Sequence, residues 1–427
     1  MCEESANVGG MRARYGTTLS RKAFLGATAA ATALATLRAR ARAAMTGARI
    51  MLGDDVLLAD AWRDLRDARI GIITNQSGVT SRLESVVDAL RRNPALRVTA
   101  LFAPEHGLRG DRPAGSYVPS YTDERTGLPV YSLYGPTRIP DAHMLANVDV
   151  LLFDIQDVGC RTYTFVSTMA EAMKAARMHD KEIWILDRPN PIGGAMVEGP
   201  VLEPRYASFI GLYPVAMRHG MTIGELARLY NEAFGIGARL RVIPMRGWRR
   251  SMLWNETGLA WVPTSPNIPT WQTTLLYPAT GLLDGTGLNN GVGTAAPFAY
   301  AGARDVDSFA YARHLAEAQI PGIRFMPASW SPLCGAAHAT EFHGVELMIA
   351  DAARFPAVRT AVELIVAMRE TAPRVVRPKR ATMDRNWGTA AVREGIEAGF
   401  DTERIVRDWE PRLAAFRRLR ERYLLYD

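Results

Sequence analysis

From about residue 69 the chain alternates short apolar runs with stretches whose apolar residues recur at helical spacing. The runs Ile70–Thr74, Val98–Phe102, Val150–Phe153 and Glu182–Leu186 are nearly continuous, the pattern of strands buried on both faces of a parallel sheet. Between them, Leu83, Val86, Val87 and Leu90 predict a helix over 81–92. Met169, Ala172, Met173 and Ala176 predict another over 167–178, the methionines filling a core rather than holding a cofactor. A helix or helical turn is expected over 53–68, and a strand over 240–245. Thr222 and Glu225 read as a capping box opening a helix to about Phe234. The order of strand, loop, helix and strand predicts an α/β fold with a doubly wound parallel sheet. After about Pro297, helices over 307–317, 356–371 and 405–423 and strands near 323–327 and 345–350 read as a small α+β domain.

The strands end alike. Leu101 to Gly110 passes from an apolar strand to Pro104, Glu105, His106 and Gly107, so an acid and an imidazole leave a tight turn at a strand's C-terminal end. The other ends carry Asn75; Asp154, Asp157, Arg161 and Tyr163; and Asp187, Arg188 and Asn190. In open α/β sheets ligands bind at this edge, and four polar ends together point to a functional crevice. Asp154 and Asp157 could equally cap the following helix. Residues 111–140, rich in Pro, Gly and Tyr, read as a lid or cleft wall, or as a surface loop. His219 and the proline-bracketed Asn267 are further site candidates, and Trp248, Trp254 and Trp271 are either buried supports or sugar-stacking faces. Gly281 to Thr294 is glycine-rich but lacks the lysine and spacing of a phosphate loop, which argues against nucleotide binding.

Composition narrows the class. A chain of 427 residues suggests two domains plus extras. Of the net charge of +7, residues 1–44 supply seven Lys/Arg less two Glu, or +5, leaving about +2. That is no footprint for nucleic acid. The same 44 residues run from basic to apolar to small, as an export signal does, with cleavage expected near Ala43. Ser20-Arg21-Lys22-Ala23-Phe24-Leu25 resembles the twin-arginine pattern with lysine in second place. An uncleaved anchor or an Arg-rich organelle presequence are the alternatives. No later run of eighteen apolar residues occurs, so no stable membrane insertion is expected once the signal is removed. The three cysteines do not make a disulfide framework, and a Cys160–Cys334 bond stays open.

An exported protein with carboxylates, histidines and aromatics at one edge suggests cleavage of an extracellular polymer. Glycoside cleavage needs one carboxylic acid and commonly a second carboxylate, which Glu105 with Asp154 or Asp157 could supply. A metal site from His106, His219, Asp154 and Asp157 lacks any supporting spacing, so no metal is expected.

Four motifs, Ala103-Pro104-Glu105-His106-Gly107-Leu108-Arg109-Gly110, Phe153-Asp154-Ile155-Gln156-Asp157-Val158-Gly159, Leu186-Asp187-Arg188-Pro189-Asn190-Pro191 and Arg218-His219-Gly220-Met221-Thr222, resemble the exo-β-N-acetylmuramidase family. That family was long catalogued as a domain of unknown function. The resemblance implies a Rossmann-like domain over 47–275, a smaller α+β domain over 276–427 and an active cleft between them. It implies release of N-acetylmuramic acid from the non-reducing end of peptidoglycan fragments, without a cofactor; the export signal places the expected site of action in the periplasm or outside the cell. Carried onto this chain, Glu105 would be the general acid, oriented by His106, with Asp154 or Asp157 as second catalytic group. Arg161 or Arg188 would bind the lactyl carboxylate. Asn75, Tyr163, Asp187, Asn190, His219 and Asn267 would line the sugar site. The departure lies at Asp284-Gly285-Thr286-Gly287 and Asn289-Asn290-Gly291-Val292-Gly293-Thr294. There the family usually reads like Glu-Gly-Thr-Asn and Ser-Glu-Gly-Arg-Gly-Thr. The alternative reading is a non-catalytic or altered-specificity peptidoglycan- or sugar-binding protein on the same fold.

Overall fold

The structure, a computed structural model, describes residues 50–427. The expected export signal lies outside the described residues. A seven-stranded sheet is built from β1 (Arg69–Thr74), β2 (Arg97–Ala103), β3 (Tyr121–Thr122), β4 (Pro129–Ser132), β5 (Val150–Asp154), β6 (Glu182–Leu186) and β9 (Arg239–Ile243). Its order is β3-β4-β2-β1-β5-β6-β9, with β3 alone antiparallel. The chain moves from β1 to β2 on one side and then crosses to β5 on the other. The strand order therefore reverses beside β1, the place where open α/β sheets leave a crevice.

The near-continuous apolar runs bury both faces, as their composition requires. Ile70, Ile72, Leu101, Leu152 and Trp184 face one core, with helices α1 (Gly53–Ala59) and α2 (Val86–Arg91). Ile73, Phe102, Leu151, Phe153 and Ile185 face the other, shared with α3 (Phe165–Met178) and α4 (Ile223–Glu232). The period of two along each strand decides which core a side chain enters. Met169, Ala172, Met173 and Ala176 are all buried on α3, as their spacing predicts. Thr222 and Glu225 form the expected reciprocal cap of α4.

A two-stranded ribbon, β7 (Glu198–Val201) with β8 (Ala216–Arg218), and helix α5 (Trp271–Thr280) lead into the C-terminal part. There β10 (Tyr300–Ala303), β11 (Ile323–Trp330) and β12 (Phe342–Ile349) form an antiparallel sheet, order β10-β12-β11. Helices α6 (Ser308–Glu317), α7 (Ala357–Thr371), α8 (Arg380–Trp387), α9 (Ala391–Glu397) and α10 (Thr402–Arg420) complete it. The fold is α/β with a smaller α+β C-terminal part. One apolar cluster runs from Phe153 through Leu283 to Val345, Leu364 and Trp387.

Several expected elements are shorter than their apolar pattern. The helix foreseen over 81–92 begins only at Val86, because Thr80 and Leu83 close a turn in which Leu83 takes φ 63° and stands exposed. The first helix stops at Ala59 and continues as a 3₁₀ turn, Ala61–Leu65. Arg420, in the arginine-rich last turn of α10, is buried and donates to the carbonyls of Gly194 and Gly220. Trp248 and Trp254 are buried supports. Cys160 is buried and Cys334 exposed, and both are free thiols. No helix among the described residues is long and apolar enough to cross a membrane.

Gly53 opens α1 where the helix lies directly on the ends of β6 and β9. A Cβ there would sit 2.2 Å from the Asp187 nitrogen and 2.7 Å from the Ile243 oxygen. Backbone cannot yield as a side chain can, so Gly53→Ala should destabilise the fold by about 1–3 kcal/mol, read by urea unfolding.

Candidate active site

The site begins at the end of β2. Gly107 N–H closes a turn onto the Pro104 carbonyl, and His106 and Gly107 both take positive φ, 71° and 78°. A histidine in the left-handed region is strained, a cost that tends to persist where function requires the shape. Glu105 is 7% exposed, and both its oxygens are held. Its Oε1 accepts from Gly115 N–H at 2.8 Å and its Oε2 from the Thr164 hydroxyl at 2.6 Å. Thr164 precedes α3, so the turn after β2 and the loop after β5 meet at this carboxyl group. Burial, with the neighbouring Glu105 carboxyl, pushes the Tyr134 phenol up to about 12. His106 Nδ1 lies 2.8 Å from the Arg112 carbonyl. A carbonyl can only accept, so Nδ1 carries the hydrogen, and in the neutral ring Nε2 is then the acceptor.

These residues line a cleft of ≈ 350 Å³. Glu105, His106 and Tyr134 contribute to it from the 105–134 segment, Tyr163 and Thr164 from the β5 loop, and Asn267, Tyr277, Asp284, Asn290 and Val292 from the 265–292 stretch. Tyr163 bonds the Thr264 hydroxyl at 2.7 Å, tying the last two groups together. Asp284 makes no hydrogen bond among the described residues. It is open on its outer side, while the protein packed behind it desolvates the carboxyl and raises its pKa. The lining thus holds two carboxyl groups, one imidazole and neither Lys nor Arg.

Of the sequence-derived candidates, Glu105, His106, Tyr163 and Asn267 come together in this cleft. The others do not line it. Asp154 is fully buried and gripped by Arg188, whose Nε and Nη2 donate to its two oxygens at 2.6 and 2.9 Å. Arg188 Nη2 also reaches Asp54 at 3.0 Å and the Val79 carbonyl. Burial opposes the Arg188 charge, yet Asp154 and Asp54 hold its pKa above the usual range. Arg161 is spent on the carbonyls of Pro200, Val215 and Asn386, and its burial lowers its pKa to about 10. Neither arginine is available to a substrate carboxylate in the cleft. Asn190 braces the loop through the Met221 carbonyl and Ile192 N–H. Asp187 accepts from Thr222, Gly224 and Tyr426 in the core. Asn75 holds Ser77 through its Oδ1.

Asp157 and His219 form a separate buried pair, with His219 Nε2 3.8 Å from Asp157 Oδ2. Met221 N–H donates to His219 Nδ1, so Nε2 carries the hydrogen. Burial pushes Asp157 up to about 7 and, helped by Arg420, pushes His219 down to about 3. The pair is therefore disposed to be neutral rather than ionic.

Tyr134, Thr164 and Asp284 were missed as site residues by sequence reasoning. Tyr134 is one of several tyrosines in a proline-rich insertion, and Thr164 lies in the loop before the helix predicted over 167–178, with no chemical mark of its own. Asp284 drew notice only as a departure from the family pattern.

Two family models cover almost all of the described chain: exo-beta-N-acetylmuramidase NamZ, N-terminal, over residues 70–272, and its C-terminal counterpart over 275–426. The chain belongs to the exo-beta-N-acetylmuramidase family. It is 46% identical over 379 residues to the peptidoglycan beta-N-acetylmuramidase NamZ of Bacillus subtilis (strain 168), spanning 88% of this chain and 92% of that protein. Two crystal structures of DUF1343 family proteins from Bacteroides fragilis share its fold. One has a TM-score of 0.83 at 37% identity, the other 0.74 at 28%, each covering 89% of this chain and 99% of its own. In this exo-beta-N-acetylmuramidase family member the Glu105 turn sits in the region matched by the N-terminal model, and Asp284 in that matched by the C-terminal one.

Removing one partner of a buried ion group strands the rest. Arg188→Met should lower stability by about 3–5 kcal/mol in denaturant titration. Asp157 gives a second check. Its folded pKa lies above the unfolded value, so the native state binds the extra proton. Its contribution is fully present below about pH 4 and is lost as pH rises through about 7. Unfolding free energy should fall over that window with a slope of up to about 1.4 kcal/mol per pH unit from this group, and Asp157→Asn should remove that slope.

Proposed function

We propose that this chain is an exo-acting glycoside hydrolase releasing N-acetylmuramic acid from the non-reducing end of peptidoglycan fragments, with Glu105 and Asp284 as its catalytic carboxyl groups. The observation that carries the assignment is that these two groups line one cleft of sugar size. Small-molecule sites of about 300–1,000 Å³ are the usual range. Asp154 and Asp157, each bound up elsewhere, are replaced in the second role by Asp284.

The geometry supports Glu105 as proton donor. Gly115 N–H can only donate, so it excludes a proton from Oε1. Thr164 can donate or accept, so its hydroxyl tolerates Oε2 in either protonation state. A proton held on Oε2 can pass to the glycosidic oxygen as the bond to the anomeric carbon breaks. Asp284, without an internal partner, is free to stabilise the oxocarbenium-like transition state that results. His106, fixed through Arg112, shapes the turn that presents Glu105, and its free Nε2 can accept from a sugar hydroxyl. Tyr163 and Asn267 supply further polar contacts. The amino-terminal charge pattern supports export, in agreement with a cell-wall substrate.

The test is hydrolysis of the disaccharide N-acetylmuramyl-β-1,4-N-acetylglucosamine, followed by chromatography of the released sugars. Glu105→Gln should reduce turnover by about 10²–10⁴-fold, and Asp284→Asn should also lower kcat markedly. Undiminished release by Glu105→Gln would remove Glu105 from the mechanism.

A further inference from the structure

The cleft contains two carboxyl groups and no cationic side chain among its lining residues, although a muramyl substrate carries a carboxylate of its own. Beside the cleft lies a groove of ≈ 680 Å³. Two adjacent residue pairs join them: Tyr134 and Ile210 line the cleft, while their neighbours Gly135 and Phe209 line the groove. The Tyr134 and Phe209 rings stand 5.9 Å apart and form the partition. Over it lies Arg138, its guanidinium carbon 4.2 Å from the Phe209 ring centre and 5.4 Å from that of Tyr134. Arg138 is exposed and has no ion pair or hydrogen bond among the described residues. The rings hold its charge in place without using its N–H donors.

The groove contains two more unsatisfied groups. Glu171, 8% exposed, accepts from Lys174 Nζ through Oε1 at 3.1 Å but leaves Oε2 buried without a partner. The Ser208 hydroxyl is likewise buried and unpartnered. Buried polar atoms are ordinarily satisfied, so two such atoms beside an unpaired guanidinium in one groove offer a ligand donors and acceptors to meet.

We propose that this groove is a second subsite, in which Arg138 binds a carboxylate of the substrate while Glu171 and Ser208 meet the amide or hydroxyl groups beside it. The inference rests on the glycosidase reading of the Glu105 cleft. The carboxylate has two sources in peptidoglycan fragments, the lactyl group of the sugar or the peptide stem attached through it. Both present a planar anion that a guanidinium can bind through two parallel hydrogen bonds.

Three 4-nitrophenyl β-glycosides separate the cases: N-acetylglucosaminide, with no carboxylate; N-acetylmuramide, with the free lactyl group; and N-acetylmuramide extended by L-alanyl-D-glutamate, whose free carboxylates belong to the peptide. Steady-state constants are measured on the full chain and on Arg138→Gln and Arg138→Lys. Arg138→Gln should lower kcat/KM for a carboxylate-bearing glycoside, relative to the neutral one, by about ten-fold or more through KM. Arg138→Lys should restore part of the ratio, which a misfolded variant would not do. Loss on the simple muramide assigns the lactyl group; loss confined to the extended one assigns the stem. Both ratios staying within about two-fold of the wild type would overturn the subsite. Failure of the wild type on all three glycosides would instead overturn the glycosidase reading. Calorimetric binding of free N-acetylmuramic acid and its dipeptide then decides the groove, with equal affinities for wild type and Arg138→Gln refuting it.

Discussion

The buried grip of Arg188 on Asp154 holds the functional edge of the sheet together. Asp154 ends β5, Arg188 follows β6, and the same guanidinium reaches Asp54 in α1 and the Val79 carbonyl. One cation therefore fixes the strand ends from which the β5 and β6 loops depart. Such a group is costly to bury, and its value lies in geometry more than in net stability. With β5 anchored, the loop through Tyr163 and Thr164 is carried to the place where Thr164 meets Glu105. The most polar part of the strand edge is thus a support, and the proposed catalytic cleft lies beside it.

Much of this was legible in the sequence. The apolar runs identified the strands of the parallel sheet because strands buried on both faces have little choice of composition. The Pro104-to-Gly107 turn was legible because proline and glycine restrict and release the backbone in opposite ways. Less accessible was the use to which each polar strand end is put. Asp154 and Glu105 are both acids just beyond apolar strands, but one faces a buried guanidinium and the other a cleft. That difference depends on partners from distant segments, Arg188 and Asp54 for the first and Gly115 and Thr164 for the second. Periodicity along one strand cannot contain it. Helix α5 was hidden for another reason: Pro278 lies inside it and Pro269 just before it, so local signals argued against a helix that tertiary packing retains.

Charge is divided between neighbouring spaces. Arg161 and Arg188 serve the interior, where their Nη groups are held by carbonyls and carboxylates. The cleft keeps Glu105 and Asp284, and the adjoining groove keeps Arg138 over two aromatic rings. An acid-lined cleft suits stabilisation of positive charge at an anomeric carbon, while a cation kept outside it can hold an anion without pairing with the two carboxyl groups proposed as catalytic. The changed segment from Asp284 to Thr294 belongs to this arrangement, since Asp284, Asn290 and Val292 all line the cleft.

On the proposed function the sugar is cleaved between Glu105 and Asp284, and not at the buried Asp157–His219 pair. A crystal structure with N-acetylmuramic acid bound as product tests it most directly. The anomeric oxygen should lie within hydrogen-bond reach of Glu105, about 2.6–3.2 Å, with the Asp284 carboxyl beside the same carbon. A sugar seated against Asp157 and His219, with its anomeric carbon away from both Glu105 and Asp284, would contradict it.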